Sequence, residues 1–167
     1  MPVAAALAPG GDKLVVLLAG WREQGIQIVD LKTRKPTQNL TQPGAFVGVV
    51  FSVDGKSLYA SGGNDDSIYC YSWDGQTAVY QRKILLAEKT PDKLGTSYPA
   101  GLAVSSNGKL LYAAENVADR IAVIDLDSFA VVQRLPTEHY PYAVAVARDG
   151  GIYVSGWGGH NVTVFRA

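Results

Sequence analysis

Short apolar stretches separated by polar turns run along the chain in a repeating order. Each unit has a first strand dense in Ala, Val and Gly, a glycine turn, a second apolar strand and an alternating third strand. The four turns place glycine at equivalent positions, at Gly11, Gly55, Gly108 and Gly150. Their spacing is close to the roughly 40 to 45 residues of a four-stranded propeller blade. An insertion explains the longer interval between Gly55 and Gly108.

Strands can be placed from this order. Asp54-Gly55 and Asn107-Gly108 favour tight hairpins, because glycine tolerates the positive φ that such turns require. Third strands begin at a constant offset after Tyr59, Tyr112 and Tyr153. First strands are predicted at 3–7, 46–51, 101–104 and 143–146, and fourth strands at 37–41, 78–86 and 130–135.

The pattern predicts an all-β chain of four-stranded antiparallel blades, with no amphipathic helix of three turns. About three and a half propeller blades are expected, since the last unit reaches only a third strand before Ala167. We place the repeats at approximately 2–42, 43–98, 99–139 and 140–167, with an insertion at 87–98 that reads as a surface loop. The small, uncharged first strands suit a position near a propeller axis.

Composition narrows the possible partners. Lys plus Arg and Asp plus Glu both number 15, so no basic field exists that would attract nucleic acid. No apolar stretch approaches the roughly 20 residues needed to span a bilayer. Met1–Pro9 lacks the basic region of a signal peptide and reads as a strand. The lone Cys70 lies in an apolar alternation that favours burial over reactivity.

Several segments resemble the YVTN-type β-propeller repeat of YncE-like proteins. They lie at 99–105, 108–109, 111–116 and 121–126. Within that family, further segments look like the propeller half of bacterial proteins that join it to an alkaline-phosphatase-type phosphoesterase domain; these are 20–26, 59–64, 140–142 and 153–159. The resemblance implies a seven-bladed parent propeller, periplasmic or secreted, that serves as an accessory to the phosphoesterase.

Catalytic machinery is not recognisable in the sequence. A two-metal phosphatase needs several Asp and His ligands, whereas the chain has only His139 and His160, and neither stands in a metal-site spacing. The run 64–66 lacks the spacing and closing Glu of a calcium loop. We therefore predict no catalytic residue, no metal and no cofactor, and no hydrolysis of phosphate monoesters with Zn²⁺ or Mg²⁺.

Strand parity predicts where binding residues gather. Because each strand of an antiparallel blade reverses direction, the glycine turns lie on one face, and the loops after second and fourth strands lie on the other. That second face collects aromatic, amide and charged side chains, as binding loops on rigid scaffolds do. The binding-face candidates are Trp21, Arg22, Asn64, Asp65, Glu115, Asn116, His139, Tyr140, Tyr142, Trp157 and His160. The alternative is that Trp21, Tyr98, Tyr140 and Trp157 wedge between blades as packing residues.

The sequence favours a non-catalytic propeller segment that binds a ligand or a protein on this loop face and packs against further blades of a parent protein. Two alternatives stay open. One is part of a lactonase-type propeller enzyme, which would need carboxylates and histidines converging on the central channel. The other is a purely structural protein-interaction module. An arc of blades exposes apolar surface at both cut sides, so we also expect this chain alone to self-associate.

Overall fold

A computed structural model describes residues 1–88 and 90–166 as a series of antiparallel sheets. Lys89, within the predicted insertion, and Ala167, at the end of the fourth predicted repeat, lie outside the described residues. Each sheet is a meander in which strands adjacent in sequence are hydrogen-bonded neighbours. In the described part of the chain, three sheets have four strands and the last has three. The prediction of a partial β-propeller is therefore confirmed.

The four sheets are named blades 1 to 4 and fall within the four predicted repeats. Blade 1 contains β1 (Pro2–Leu7), β2 (Lys13–Leu18), β3 (Gln24–Asp30) and β4 (Lys35–Gln42). Blade 2 contains β5 (Val49–Phe51), β6 (Ser57–Ser61), β7 (Ser67–Trp73) and β8 (Ala78–Leu85). Blade 3 contains β9 (Pro99–Val104), β10 (Leu110–Glu115), β11 (Arg120–Asp125) and β12 (Ala130–Pro136). Blade 4 contains β13 (Pro141–Val146), β14 (Ile152–Gly156) and β15 (Val162–Phe165). Single 3-10 turns, at Gly63–Asp65 and Asn116–Ala118, precede β7 and β11.

The turns explain why the chain reverses where it does. Gly11, Gly55, Gly108 and Gly150 have φ values of 74°, 70°, 73° and 87°, in the left-handed region that glycine adopts without a Cβ clash. A second turn recurs between the third and fourth strands. There the carboxylate of Asp30, Asp74 or Asp125 accepts the backbone N–H three residues later at 2.7 Å. This local capture by an Asp side chain fixes the hairpin ends.

Apolar clusters between successive blades form the core. Blades 1 and 2 enclose Leu17, Ile28, Leu58 and Tyr71, and blades 2 and 3 enclose a second cluster that includes Cys70 and Leu111. The third cluster joins blades 3 and 4 around Ile121, Ile152 and Val154. Cys70 is buried as predicted, and burial raises the pKa of its thiol to about 12.

The outward faces of blades 1 and 4 are not covered by another sheet among the described residues. On blade 4, Tyr153, Val162 and Val164 are 40%, 55% and 46% exposed, while Ile152 and Val154 on the opposite face are buried. On blade 1, Val3 and Leu7 are exposed. Two apolar sheet faces are thus open to solvent. No helix in the described residues is long and apolar enough to cross a membrane.

Two features depart most from the sequence prediction. The first strand of blade 2 begins at Val49 and not at residue 46, because regular pairing is interrupted where Phe46 and Gly48 both hydrogen-bond to the backbone of Ser61, and Gly48 lies close to the backbone of blade 3. The insertion predicted as a surface loop is exposed only in part, since Gly95 and Ser97 are buried against blade 2. Both corrections bring additional residues to the channel mouth.

Candidate binding site at the mouth of the central channel

The strand order separates the loops into two faces. The glycine turns form one face, where those of neighbouring blades adjoin: a Cβ placed on Gly55 would lie 2.8 Å from Pro9 Cγ, and one on Gly108 would lie 3.5 Å from Val53 Cβ. The opposite face carries the connections after the second and fourth strands and is called the mouth face. Its segments are 19–23, 43–48, 62–66, 86–98, 116–119, 137–140 and 157–161.

Four aromatic rings form a continuous row on the mouth face, which is called the aromatic arc. Phe46 meets Tyr98 edge to face at 5.1 Å and Tyr142 at 5.9 Å between ring centroids. Tyr142 in turn lies 5.8 Å from Trp157. Edge-to-face contacts of this kind hold rings at fixed angles. The arc thus joins loops of blades 2, 3 and 4 across the open side of the channel.

Two surface depressions lie along the arc. One, of about 290 Å³, is lined by polar and aromatic residues together with Met1, Val3 and three small residues; the polar and aromatic ones are Gln24, Phe46, Asn64 and Tyr98. The other, of about 450 Å³, is lined by Tyr142, Ser155, Gly156 and Trp157. Neither lining contains a charged side chain. The combination of aromatic walls with a few neutral polar groups is typical of small-molecule sites.

The channel wall below the arc has no charged side chain in its lining. A shallow depression of about 280 Å³ touches the first-strand region of all four blades, including Val3, Val49, Leu102 and Val144. Strands β1, β5, β9 and β13 contain no Asp, Glu, His, Lys or Arg. Among residues 1–88 and 90–166, no group of three or more His, Cys, Asp or Glu side chains could hold a metal ion. The four first strands therefore bring no charged side chain to the channel.

In each of blades 1 to 3, one side chain accepts a hydrogen bond from the segment that leads into the next blade. These side chains are Gln24, Asp66 and Asp119, and we call them the junction anchors. Each stands two residues before an isoleucine of a third strand, namely Ile26, Ile68 and Ile121. Gln24 Oε1 accepts the N–H of Ala45 at 2.8 Å.

Of the three anchors, Asp66 accepts the most backbone hydrogen bonds. Its carboxylate is buried and accepts the backbone N–H groups of Thr96, Ser97 and Tyr98 at 2.7, 2.9 and 2.7 Å. Its own carbonyl accepts the N–H of Leu86 at 2.9 Å. Asp66 adopts a left-handed conformation with φ of 51°, which directs the carboxylate toward the linker. The anchor therefore fixes the segment that carries the Tyr98 ring.

Asp119 anchors the next junction through one backbone N–H and one histidine side chain. Its Oδ1 accepts the N–H of Tyr140 at 2.9 Å, and its Oδ2 lies 2.6 Å from Nδ1 of His139. The His139 and Tyr140 rings pack at 4.1 Å between centroids. Gly158 passes so close that a Cβ there would lie 2.6 Å from Cδ2 of Tyr140. The result is an oriented aspartate–histidine pair on the mouth face.

Glu115 is a predicted binding residue that proves to be structural. Its carboxylate is fully buried and accepts hydrogen bonds from Arg120 Nε at 2.7 Å, Arg134 Nε at 3.0 Å and the hydroxyl of Ser97 at 3.0 Å. Both guanidinium groups are partly exposed and shield the acid from solvent. Glu115 thus joins the inner and outer strands of blade 3 to the preceding linker and is not available to a ligand.

The other predicted residues divide between packing and exposure. Asn116 is buried, and its side-chain amide donates to the carbonyl of Pro141 at 2.9 Å. Asn64 lies in the middle of its 3-10 turn and is exposed, so the two asparagines differ in burial. Asp65 is half-buried and bonds the Tyr69 hydroxyl at 2.6 Å. The remaining candidates sit on the mouth face with exposed or partly exposed side chains: Trp21, Arg22, His139, Tyr140, Tyr142, Trp157 and His160.

Tyr98 packs between blades as the alternative interpretation predicts, since its ring contacts Phe46 of the linker before blade 2. Trp21 is fully exposed and packs against no other blade among the described residues. Phe46 and the three junction anchors were not predicted as site residues from the sequence. The anchors could have been recognised from their constant position, two residues before an isoleucine of the third strand. Nothing in the sequence distinguished Phe46, because it lay inside a predicted strand.

A family model described as a lactonase of the seven-bladed β-propeller type matches residues 49–167. Among curated proteins, antigen Lp49 of Leptospira interrogans serogroup Icterohaemorrhagiae serovar copenhageni (strain Fiocruz L1-130) is 27% identical over 146 residues. That alignment covers 84% of this chain and 30% of the relative, so the chain spans less than a third of it.

Solved structures share the architecture at low identity. A functionally unknown protein from Desulfotomaculum acetoxidans DSM 771 superposes with a TM-score of 0.83 at 13% identity, over 99% of this chain and 51% of that one. The periplasmic gluconolactonase of Pseudomonas aeruginosa gives 0.76 at 18% identity, over 99% and 49%. Hydrazine synthase of Kuenenia stuttgartiensis gives 0.75 at 22% identity, over 98% and 44%. These similarities show the fold, and the chain spans about half the length of each.

Proposed function

The chain belongs to the lactonase family of seven-bladed β-propellers, and from that premise we propose that it is a binding segment whose aromatic arc holds a neutral cyclic ligand of the lactone class. The observation that carries the proposal is the row of four aromatic rings at the mouth of the channel. Rigid rings present a large apolar contact area at little entropic cost to binding.

The lining of the two depressions supports a neutral ligand. With no charged group in the lining of the second depression, an anionic or cationic ligand would lose its hydration there without gaining a compensating partner. Neutral hydrogen-bonding groups are present instead. Gln24 and Asn64 stand at the first depression, and the hydroxyl of Ser155 stands at the second. They suit the hydroxyls and the ring carbonyl of an uncharged sugar lactone better than a phosphorylated one.

Binding can be measured through the indole of Trp157. The probe is D-glucono-1,5-lactam, in which an N–H replaces the ring oxygen so that the ring stays closed. We expect saturable quenching of tryptophan fluorescence in the wild-type chain. We expect Trp157→Ala, whose affinity is measured by isothermal titration calorimetry because it lacks the reporting indole, to weaken binding by about tenfold, or roughly 1.4 kcal/mol. Trp21→Ala is the matched control, because Trp21 is fully exposed on the same face and lines neither depression.

Two results would oppose this proposal. One is the absence of saturable quenching at millimolar lactam, and the other is equal weakening by Trp157→Ala and Trp21→Ala. Adding D-glucono-1,5-lactam 6-phosphate as a second probe tests the charge argument. Tighter binding of the phosphorylated compound would show that a cationic group outside the two linings takes part.

The accessory role beside a phosphoesterase domain, with a periplasmic or secreted location, remains a further proposal that rests on the resemblance of segments 20–26, 59–64 and 153–159. It is compatible with lactone binding, since a propeller that holds a ligand can be joined to another catalytic domain. Reading the encoding gene on both sides of this chain tests it directly. A parent protein without a phosphoesterase domain would remove this role and leave the binding proposal intact.

A further inference from the structure

Each blade has a forward face, which packs on the next blade along the chain, and a rear face, which packs on the preceding one. The forward faces of blades 1 to 3 share three strand positions at which no residue is more than 8% exposed. These residues are Val15, Ile26 and Ile28 in blade 1, Tyr59, Ile68 and Cys70 in blade 2, and Tyr112, Ile121 and Val123 in blade 3. The strand pairing places Tyr153, Val162 and Val164 at the same positions of blade 4, and all three are exposed. Blade 4 therefore has a complete forward face with no blade on it among residues 1–88 and 90–166.

The rear face of blade 1 is the counterpart of that face. Leu14, Val16 and Val29 lie on it and are only half-buried. Their equivalents are buried against the preceding blade, namely Leu58, Ala60 and Tyr71 in blade 2 and Leu111, Ala113 and Ile124 in blade 3. The outward positions of β1, β2 and β3 in blade 1 and of β13, β14 and β15 in blade 4 carry no charged side chain. The two open faces can therefore be buried against each other without leaving a charge unpaired.

His160 holds the anchor position of blade 4. It stands two residues before Val162, as Gln24, Asp66 and Asp119 stand two residues before an isoleucine. Its side chain is exposed and makes no hydrogen bond within the part of the chain that the structure describes. One ring nitrogen of a neutral imidazole can accept an N–H. The fourth anchor is thus present without the segment that it would hold.

The three occupied anchors bind the same position of the following blade. The N–H groups that they accept belong to Ala45, Tyr98 and Tyr140. Each of these residues lies three positions before an equivalent first-strand residue, at 48, 101 and 143, and Met1 lies three positions before residue 4 in blade 1. The Met1 carbonyl accepts the N–H of Ala19 at 2.8 Å, and the Tyr140 carbonyl accepts that of Trp157 at 2.7 Å, as this equivalence requires. Met1 is therefore the position in blade 1 that an anchor of a preceding blade would bind.

We propose that two copies of this chain close into one ring, in which the forward face of blade 4 of each copy packs on the rear face of blade 1 of the other. At each of the two contacts, His160 accepts a hydrogen bond from the Met1 nitrogen of the second copy. The proposal is independent of what the aromatic arc binds. It is carried by the match between the two open faces and by the unfilled anchor beside them.

The ring has a blade number that propellers adopt. Two copies supply eight sheets, and propellers have about four to eight blades. Each blade occupies about 45° of an eight-bladed ring and about 51° of a seven-bladed one, so each junction differs by only about 6° between the two. The chain spans about half of the solved structures on which it superposes, so two copies match the length of one such chain.

A second copy covers both open faces at once. A partner of another kind that covered one face would leave the other exposed. Contacts between two different faces either close a ring or continue into a filament, depending on the rotation between copies. Once the first contact of a two-copy ring has formed, the second pair of faces meets within one assembly, at a high effective concentration. Closure is therefore favoured over further growth.

Ring closure also adds residues to the depression beside Trp157. Ala45 and Phe46, in the linker before blade 2, line the first depression next to blade 1. The second depression is lined by residues of blade 4 alone in the described part of the chain. The equivalent linker positions beside blade 4 are Met1 and Pro2 of the second copy. The partner copy thus completes the wall that blade 2 supplies at the first depression.

Sedimentation equilibrium of the full chain at micromolar concentrations tests the ring. We expect a mass of twice 17.8 kDa that stops growing as concentration rises. His160→Ala should raise the dissociation constant of the dimer about tenfold, because each ring loses two hydrogen bonds. His160→Gln should retain wild-type affinity, since Gln24 serves as the anchor of blade 1. Asn161→Ala is the matched control, because Asn161 is exposed beside His160 but lies outside the anchor position.

A disulfide tests which faces meet. A Cβ placed on Gly48 would lie 2.7 Å from Leu102 Cγ across the junction of blades 2 and 3. The equivalent pair in the ring is Ala143 and Ala5 of the second copy, and both side chains are exposed. We expect the double variant Ala5→Cys and Ala143→Cys to form a covalent dimer on oxidation, which a reducing agent reverses. Ala4→Cys with Ala143→Cys is the control, since Ala4 packs toward blade 2 on the opposite face of β1.

Four results would overturn the proposal. A monomer at every concentration would assign the open faces to further blades of a longer chain or to another partner. A mass that keeps growing with concentration would show that the contacts do not close. Equal effects of His160→Ala and Asn161→Ala would remove the fourth anchor. Equal cross-linking of the test and control cysteine pairs would show that the copies meet through other faces.

Discussion

Asp30 links a buried cation to a hairpin turn. Its carboxylate accepts a hydrogen bond from the buried Lys13 ammonium at 2.8 Å and from the N–H and hydroxyl of Thr33 at 2.7 and 2.9 Å. The Lys13 hydrogen bond, followed by those of Thr33, holds the pKa of Asp30 well below its usual range, and the same pairing raises the pKa of Lys13. The ionised pair is therefore a feature of the folded state.

The pH dependence of folding follows from the lowered pKa of Asp30. A carboxyl whose pKa is lower in the folded chain stabilises it above the unfolded pKa of about 3.9, and this contribution is lost as pH falls toward the folded value. We expect Asp30→Asn to lower the urea midpoint at pH 7 and the difference from wild type to narrow below about pH 4. Asp125→Asn is the control, since Asp125 makes the same turn with Ser128 but no ion pair with a buried lysine. A difference between wild type and Asp30→Asn that is constant from pH 7 to pH 2 would contradict this account.

At the residue scale, the sequence predicted which residue types lie on the mouth face better than it predicted which of their side chains are exposed. Glu115 occupies a position where the other blades have Gly20, Gly62 and Gly156, so the departure from the repeat marked a special residue. It did not show that Arg120 and Arg134 would enclose the acid, because those contacts depend on how adjacent strands align. The position of Trp157 on the mouth face could be predicted, since the turn after a second strand lies on that face in an antiparallel blade; its role in binding stays a prediction.

Junction anchors are the elements that hold each blade to the next. Asp66 places three backbone N–H groups on one buried carboxylate, whereas Gln24 accepts one. Removing the acceptor leaves buried donors unpaired, which costs about 1 to 3 kcal/mol for each group before relaxation. The anchors should therefore differ in their contribution to stability.

We expect Asp66→Ala to lower the free energy of unfolding by about 3 kcal/mol and Gln24→Ala by about 1 kcal/mol, measured by urea denaturation. Asp54→Ala, in an exposed hairpin whose carboxylate caps only its own turn, should cost less than Asp66→Ala. Equal effects of the Asp66 and Asp54 substitutions would show that the inter-blade hydrogen bonds contribute little.

Element boundaries were predictable wherever turn chemistry was strong. The Asp54-Gly55 and Asn107-Gly108 hairpins were located correctly, because these turns require a positive φ and glycine is the residue that adopts it most readily. Phe46 was assigned to a strand because the run 46–51 is apolar, but β5 begins only at Val49. An apolar run shows that residues avoid water and does not show whether they do so in a sheet or against the rings of Tyr98 and Tyr142.

For the whole molecule, the open faces of blades 1 and 4 are the largest departure from a closed core. Tyr153, Val162 and Val164 on one side and Leu7 on the other present apolar surface that other blade faces bury. The internal junctions bury equivalent faces in continuous clusters. Exposed patches of this kind favour association.

We expect this chain alone to sediment as species larger than a 17.8 kDa monomer at micromolar concentrations. The double variant Val162→Lys and Val164→Lys should shift the distribution toward monomer, because it places charge on the open face of blade 4. Val132→Lys is the control, since Val132 is similarly exposed on the outer strand of blade 3. A monomer at every concentration, with cooperative unfolding, would contradict the prediction.

The direction of the junction anchors has a consequence for synthesis on the ribosome. Each anchor precedes its target in the chain, from Gln24 to Ala45, from Asp66 to Tyr98 and from Asp119 to Tyr140. A completed blade therefore presents its acceptor before the linker that will bind it has been made. Folding can proceed from the N-terminus as translation continues, with each nascent blade docking onto the one already formed. The anchors of an earlier blade thus serve as a template for the next.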